Sequence, residues 1–295
     1  MDASDLRIFE AVARLGGMNR AAAALNTVQS NVTARIRALE EQLGVQLFRR
    51  TSRGVSLTAA GERLLPYSVK MARLLDEARR AAQDDGMPRG QLTVGSLETT
   101  AALRLTPLLA AFIARYPDVD LVLRTGTSCE LVEHVLEGRV EGALVCGPVN
   151  HPDLTRETIY TEELVLLAAP GVTSIESHLQ GRNVRIVVLR AGCSYRLMLE
   201  AWLARRGIVG VHQLEFGTLE AIIGCVSAGL GITLLPRALI GGVWREGKVA
   251  CFPMPGEDGR VETLFIRRRD ERASSALTAF IDYIRSPLSR QAAAE

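Results

Sequence analysis

The hydrophobic positions of the first sixty residues predict short helices separated by tight turns. Leu6, Phe9 and Ala13 recur at helical spacing. A short alanine-rich helix is predicted over 20–25 and a longer one over 29–43, with about three residues of turn between them. Two helices joined by so short a turn are typical of a helix-turn-helix.

A hairpin and a long helix are predicted next. Residues 48–57 form the hairpin, which turns at Ser52-Arg53-Gly54, and a helix follows from Thr58 to about Asp85. Gly86 and Gly90 then form a hinge around Pro88. Apolar and small residues of the long helix are spaced 4, 3, 4, 3 and 4 positions apart: Leu64, Ser68, Met71, Leu75, Ala78 and Ala82. This heptad seam predicts that the helix pairs two copies of the chain.

From residue 91 onward the pattern changes to alternating strands and helices. Apolar runs typical of strands occur at 92–97, 119–124, 142–146, 163–169, 184–189, 231–235 and 261–267. Helical stretches lie between several of them, at 101–115, 129–138, 195–206, 218–229 and 272–285. This alternation favours mainly parallel sheets covered by helices, in which ligands bind at the carboxyl ends of the strands.

Composition and charge indicate a cytoplasmic protein whose two ends have different partners. The 295 residues, 47% of them hydrophobic, suggest two domains. Residues 1–89 carry 14 basic against 10 acidic side chains, and the remainder carries 21 against 23. The acidic start and the lack of an apolar run of about 18 residues argue against a secretory signal and a membrane span. The five cysteines include no CxxC pair, which favours reduced thiols.

The 29–43 helix carries side chains suited to reading DNA. Val32, Ile36, Leu39 and Leu43 form one apolar stripe that would face a core. The candidate DNA-binding residues away from this stripe and in the hairpin are Gln29, Ser30, Asn31, Thr33, Arg37, Arg50 and Arg53. Arg pairs with guanine, Gln and Asn pair with adenine, and a basic hairpin follows phosphates or a minor groove. The alternatives are an ordinary amphipathic surface helix and a solvated charged loop.

The sequence does not favour an enzyme. It contains no GxSxG, HExxH or Walker motif, and its four histidines have no metal-ligand spacing. No cofactor or metal is expected. A purely architectural DNA binder is the other alternative, but the long second half of the chain exceeds what DNA docking requires.

At this point the chain resembles the LysR-type transcriptional regulators. The match is dense over residues 3–66 and looser beyond them, where Ala228-Gly229-Leu230-Gly231-Ile232 through Leu235-Pro236 recurs in the family's regulatory domain. The matching N-terminal residues are Leu6-Arg7-Ile8-Phe9, Arg20-Ala21-Ala22, Leu25, Gln29-Ser30-Asn31-Val32-Thr33, Ile36, Leu39-Glu40, Leu43-Gly44, Leu47-Phe48-Arg49-Arg50 and Leu57-Thr58-Ala59-Ala60-Gly61. Where many members carry Arg, this chain has Ala34, with Arg35 beside it.

The resemblance implies a fold and an assembly. An N-terminal all-α winged helix-turn-helix would span 1–58, and a linker helix with its hinge would span 59–90. An α/β periplasmic-binding-protein-like domain of two subdomains would follow over 91–295. Subdomain I would comprise 91–163 and 266–295, and subdomain II would comprise 164–265. The implied partners are double-stranded promoter DNA, a small-molecule effector and further copies of the chain in dimers and tetramers, with RNA polymerase a further candidate and no membrane.

Hydroxyl and thiol groups at strand and helix junctions are the candidate effector ligands. Matched to the family, these residues surround the cleft between the subdomains: Ser96, Thr99, Thr100, Thr127, Ser128, Cys146, Cys193, Ser194, Phe216 and Thr218. Hydroxyls and helix N-termini without a metal set suit a small organic carboxylate. Two alternatives remain: Ser and Thr as ordinary helix caps, and oxidation sensing by Cys146 and Cys193.

Overall fold

Residues 1–85 fold as one unit of four helices and a hairpin. The computed structural model describes residues 1–51, 54–180, 184–241 and 246–286. The elements of this unit are α1 (Ala3–Leu15), α2 (Met18–Ala24), α3 (Gln29–Leu43), β1 (Phe48–Thr51), β2 (Gly54–Leu57) and α4 (Ala59–Gln83). The predicted winged helix-turn-helix and long linker helix are confirmed by these elements, and α3 has the predicted bounds.

Local capping explains where these helices begin and end. The Asp2 side chain accepts from the N–H of Asp5, and the Asp5 carboxylate accepts from the N–H of Asp2, so α1 begins with a capping box. Thr58 caps α4 by accepting from the N–H of Gly61. α3 ends at Gly44, whose φ of 67° is in the left-handed region that favours glycine.

The core of the first unit lies between α1, α2, α3 and the hairpin. Phe9 and Val12 of α1 pack with Val32, Ile36 and Leu39 of α3, all almost completely buried. Leu43 was predicted to share this stripe, but it is 37% exposed. The prediction is wrong for Leu43 because it is the last residue of α3, and the chain turns away at Gly44.

Helix α4 buries the early part of its apolar face within its own chain and exposes the rest. Leu64 packs against the core, and Ser68 is buried, with its hydroxyl donating to the Leu64 carbonyl. Met71 and Leu75 are exposed. The predicted seam is therefore split, since its first two positions are covered by this chain and its later positions are open.

Residues 86–295 form the second unit, built on a seven-stranded sheet and a smaller parallel pair. Its strands are β3 (Gly90–Ser96), β4 (Val119–Thr125), β5 (Gly142–Cys146), β6 (Leu154–Ala168), β7 (Arg185–Leu189), β8 (His212–Phe216), β9 (Thr233–Pro236), β10 (Ala250–Pro253) and β11 (Arg260–Arg268). The large sheet has the order β10-β6-β11-β5-β3-β4, with β9 also paired to β6, and β7 pairs with β8.

Helices cover these sheets, as the sequence predicted. They are α5 (Glu98–Thr100), a π-helical turn (Ala101–Leu105), α6 (Thr106–Arg115), α7 (Ser128–Leu136), α8 (Ile175–Leu179), α9 (Ser194–Ala204), α10 (Leu219–Ser227) and α11 (Ser275–Arg285). Two short 3-10 helices occupy Arg237–Ile240 and Gly256–Gly259. No helix in the described ranges is long and apolar enough to cross a membrane.

The direction of the strands corrects the prediction of mainly parallel sheets. β3 runs parallel to β4 and β5, and β7 runs parallel to β8. β6 and β11 pair antiparallel with each other. β9 and β10 also pair antiparallel with β6, and β5 pairs antiparallel with β11. The reason is that β6 and β11 carry the chain in opposite directions between the two subdomains.

The register of β6 shows where the chain crosses. Residues 154–163 pair with β11, whereas 164–168 pair with β9 and β10. β11 pairs with β5 over 263–266, which includes the position near which the chain was predicted to return to the first subdomain. The ends of strands from both subdomains therefore lie in one unit.

Candidate functional site

The solvent-facing side of α3 presents polar side chains at its start and middle. Gln29, Ser30 and Arg37 are exposed, and their side chains have no hydrogen-bond or ion-pair partner among the described residues. Val28, just before the helix, is an exposed apolar residue whose side chain does not cap the helix. This surface combines groups that pair with bases and an apolar group that suits a thymine methyl.

Two other predicted DNA-binding residues of α3 have side chains that are less available for contacts outside the chain. The Asn31 side-chain amide donates to the Thr27 hydroxyl at 3.0 Å, which braces the turn before the helix. The Thr33 hydroxyl oxygen is buried and has no hydrogen-bond partner in the described part of the chain. In this conformation the Thr33 hydroxyl oxygen is not at the surface, so its contact with DNA stays a prediction.

Arg35 connects α3 to the start of α1. Its guanidinium lies 2.9 Å from the Asp5 carboxylate and 3.1 Å from that of Asp2. The pKa of Asp2 is lowered, first by the hydrogen bond from the Asp5 N–H and further by Arg35. Arg35 is thus committed to an intrachain ion pair, and Ala34 leaves no arginine at the neighbouring surface position.

The wing, formed by β1 and β2, is fixed to α3 by Glu40. One carboxylate oxygen of Glu40 accepts from the backbone N–H of Leu47 and of Phe48. Arg49, on the strand so anchored, is exposed. Of the predicted wing residues, Arg53 and the Arg50 side chain lie outside the described residues.

In the second unit a small, open cleft lies between the two subdomains. Thr99 and Thr127 line it from the first subdomain, and Cys193 lines it from the second, so three predicted residues are brought together. The lining as a whole consists of Leu97, Glu98, Thr99, Thr125, Gly126, Thr127, Leu189, Arg190, Cys193, Tyr195 and Gly217. Neutral hydroxyls mixed with apolar walls are typical of small-molecule sites.

Hydrogen bonds join the subdomains beside this cleft. The Ser194 hydroxyl donates to the Ser128 hydroxyl at 2.9 Å, and Ser128 also accepts from the N–H of Cys146 at 3.1 Å. The Thr99 and Tyr195 hydroxyls are 3.4 Å apart. The predicted Ser128, Cys146 and Ser194 therefore belong to a polar cluster that joins the two subdomains rather than to the cleft lining.

Gly192 of the second subdomain lies close to Thr127 of the first. Its φ of 90° is in the left-handed region, and a Cβ placed on it would lie 2.9 Å from the Thr127 hydroxyl oxygen. Thr127 itself caps α7 through a capping box with Glu130. A side chain larger than hydrogen does not fit at position 192 in this arrangement.

Four predicted residues are placed away from the lining. Ser96 is buried and donates to the Leu97 carbonyl, and Thr100 is buried without lining the cleft. Phe216 packs against the core, and Thr218 caps α10 by accepting from the N–H of Ala221. Core packing explains the residue type of Phe216. Helix capping explains that of Thr218, which was one of the alternatives.

The two cysteines near the cleft are poorly suited to oxidation. Burial raises the pKa of the Cys146 thiol to about 12. Burial also raises the pKa of Cys193, although N–H groups of Arg196 and Tyr195 favour its thiolate. Both thiols are protonated near neutral pH, which disfavours oxidation sensing because the thiolate is the reactive form. Within the described ranges no group of His, Cys, Asp or Glu is arranged to hold a metal ion.

Sequence reasoning missed most of the lining, including Glu98, Arg190 and Tyr195. Arg190 directly follows β7, and the carboxyl ends of parallel strands are where ligands bind, so this signal was available. Glu98 lies between Ser96 and Thr99, which were both predicted to bind the effector. Tyr195 gave no local signal, because only the packing of α9 turns its hydroxyl toward Thr99.

Comparison with known proteins gives matches along nearly the whole chain. Residues 3–62 match the model of the bacterial regulatory helix-turn-helix protein, lysR family, and residues 85–289 match the LysR substrate binding domain. The HTH-type transcriptional regulator GltR of Bacillus subtilis is 43% identical over 280 residues, which is 95% of each chain. The uncharacterized HTH-type transcriptional regulator YusT of the same organism is 44% identical over 282 residues, covering 96% of this chain and 95% of YusT.

A solved structure shows a similar fold in the presence of DNA. Full-length CbnR complexed with its target DNA is 26% identical, with a TM-score of 0.63, and the match covers 97% of this chain and 99% of that one. Full-length BenM, at 19% identity and a TM-score of 0.56, supports the same two-part architecture.

Proposed function

Because the chain belongs to the LysR family of DNA-binding transcriptional regulators, we propose that the exposed face of α3 reads its operator in the major groove. Gln29, Ser30 and Arg37 supply base contacts, and Asn31 contributes from its place beside Thr27. Arg49 and the predicted wing arginines, Arg50 and Arg53, contact phosphates. The observation that carries this proposal is the unpartnered polar surface of α3 next to an anchored basic strand.

The test is selection of binding sites from a pool of random duplexes, with wild type and Arg37→Ala compared. We expect wild type to enrich one partly palindromic sequence and Arg37→Ala to tolerate changes at a defined base pair of each half-site. Equal enrichment profiles for the two proteins would remove Arg37 from base reading.

We propose that α4 pairs two copies of the chain. Tyr67, Met71, Leu74 and Leu75 are large apolar residues that α4 leaves exposed, Tyr67 to 71%. They lie on one face of the helix and continue the predicted seam beyond its covered part. Pairing there places two helix-turn-helix units about a two-fold axis, which matches a palindromic operator. Tetramers of such dimers and contact with RNA polymerase stay predictions.

For the effector-binding domain, we propose that the cleft binds a small organic carboxylate. The hydroxyls of Thr99 and Thr127 and the guanidinium of Arg190 are donors that suit a carboxylate, and Leu97 and Leu189 provide apolar surface. A ligand held between the subdomains favours one relative orientation of them. It changes DNA binding only by its difference in affinity for the two orientations, typically ~1–3 kcal/mol.

A further inference from the structure

The cleft lining carries two charges of opposite sign on different subdomains. Glu98 stands at the start of α5 in the first subdomain, and Arg190 follows β7 in the second. The remaining lining residues are neutral. These two side chains, together with any counter-ions they already have in the protein, therefore determine which ligand charge the cleft favours.

Arg190 already has a partial counter-ion in Glu130. Its guanidinium lies 3.9 Å from a Glu130 carboxylate oxygen, and both side chains are about half exposed. The same Glu130 oxygen accepts from the N–H of Thr127 at 2.8 Å, and this hydrogen bond is the main cause that lowers the pKa of Glu130. Glu130 is thus charged and occupied with the start of α7, and its long contact leaves Arg190 able to take a ligand carboxylate as well.

Glu98 has no such compensation. It is exposed in the cleft and makes no hydrogen bond or ion pair with the described residues. Glu98, Glu130 and Arg190 together carry a net charge of about −1, and the excess is at Glu98. A ligand whose only charge is a carboxylate adds to this negative charge, and like charges within the cleft repel each other.

We propose that the effector is a zwitterion of the amino-acid class, with its ammonium group paired to Glu98 and its carboxylate paired to Arg190. The inference rests on the proposed function of the cleft and deepens it, since it adds a required cation to the carboxylate. Thr99 and Thr127 lie in the same lining and supply neutral hydrogen bonds. Leu97 and Leu189 in the same lining offer apolar surface to an amino-acid side chain.

The test uses the full-length protein and matched ligand pairs. Each standard L-amino acid is compared with the carboxylic acid that lacks its amino group, for example L-leucine with 4-methylpentanoate and L-phenylalanine with 3-phenylpropionate. Thermal shift identifies ligands, and titration calorimetry then measures their affinity for wild type, Glu98→Gln and Arg190→Gln. Glu133→Gln, at an exposed position of α7 outside the cleft lining, is the matched control.

We expect at least one amino acid to bind wild type and Glu133→Gln equally, and its deaminated partner to bind at least about tenfold more weakly. Glu98→Gln should weaken the amino acid about 10- to 100-fold and erase the preference over the deaminated acid. Carboxylates that bind as well as amino acids, or an unchanged preference in Glu98→Gln, would overturn the zwitterion inference while the carboxylate proposal stands. Failure of both ligand series to stabilise the protein would overturn the carboxylate proposal together with the inference.

Discussion

The Glu40 carboxylate accepts a hydrogen bond from the backbone N–H of Leu47 at 2.7 Å and a second from that of Phe48 at 3.2 Å. Glu40 is on the recognition helix, and Leu47 and Phe48 lead into the wing. One side chain therefore sets the wing relative to α3, the helix that we propose reads bases. Under that proposal, the two surfaces that contact DNA are positioned relative to each other by an intrachain contact.

Loss of this contact should destabilise the first unit. Glu40→Ala leaves two partly buried N–H groups without their charged acceptor, which we expect to lower the free energy of unfolding by ~1–3 kcal/mol. Urea unfolding of the full chain measures the change. Glu41→Ala, which removes the exposed neighbouring carboxylate, should stay within about 0.5 kcal/mol of wild type. Equal stabilities of the two variants would contradict the role given to Glu40.

Arg37 and Arg49 should differ in how they affect DNA binding. Arg37→Ala should cost ~1–3 kcal/mol on the selected operator and much less on unrelated duplexes, because a base contact is sequence-specific. Arg49→Ala should weaken binding to all duplexes about equally, because a phosphate contact does not depend on base sequence. It should also reduce by about one the slope of log affinity against log salt concentration. Fluorescence anisotropy at several salt concentrations measures both. Arg79→Ala, at an exposed position of α4 paired with Asp76, is the control.

Leu75→Glu should separate the chains. A carboxylate in the centre of a paired apolar seam is costly to bury, so we expect monomers in light scattering at micromolar concentration. Operator affinity should fall about 100-fold or more, since the two half-sites are no longer bound together. Gln83→Glu introduces the same group at the last residue of α4, outside the predicted seam positions, and should remain oligomeric. A monomeric wild type would refute pairing through this face.

Thr127→Val should weaken the response to ligand and also lower the stability of the fold. Valine keeps the shape but removes the hydroxyl that caps α7 and lines the cleft, which should cost ~0.5–2 kcal/mol of stability. Thr127→Ser retains the hydroxyl and should preserve both properties. Titration with the amino acids and carboxylates described above, together with urea unfolding, separates the two effects. A full ligand response in Thr127→Val would place the binding site elsewhere.

The raised pKa of Cys146 predicts slow alkylation and a loss of stability at alkaline pH. Exposed Cys129 should react with iodoacetamide at pH ~8 at least about 100-fold faster than Cys146. The folded-state pKa of about 12 exceeds the ordinary value of 9.0, so the folded state holds this proton more tightly. The stability it contributes is complete below about pH 9 and is lost as the pH rises toward 12. Cys146→Ala should flatten this alkaline decline, and rapid labelling of Cys146 in the folded protein would contradict its burial.

Short-range pattern predicted the first unit well because its elements are local. The bounds of α3 follow from apolar positions at helical spacing and from Gly44, and the hairpin follows from its turn residues. β8, with the sequence His-Gln-Leu-Glu-Phe, was missed because polar residues alternate with half-buried ones and no apolar run marks it. The first part of β6 was missed for a similar reason, since its polar residues become a strand only by pairing with β11.

The cleft was harder to predict than the elements around it. Hydroxyls at helix starts were identified, but a helix cap and a ligand contact use the same residue types, and the sequence does not separate them. Ser128 and Ser194 are 66 positions apart, and their hydrogen bond depends on how the two subdomains pack. Glu98 and Arg190 belong to different subdomains as well, so their shared cleft is a property of the folded chain.

The absence of a side chain at position 192 also has a genetic consequence. Any glycine codon becomes an alanine codon by a single base change, and the added methyl would meet the Thr127 hydroxyl oxygen at 2.9 Å from a strained backbone. The two subdomains could then not close to their present separation. Gly192→Ala is therefore one point mutation away, and if the cleft binds the effector as proposed, we expect selection for loss of the ligand response to find changes at this codon.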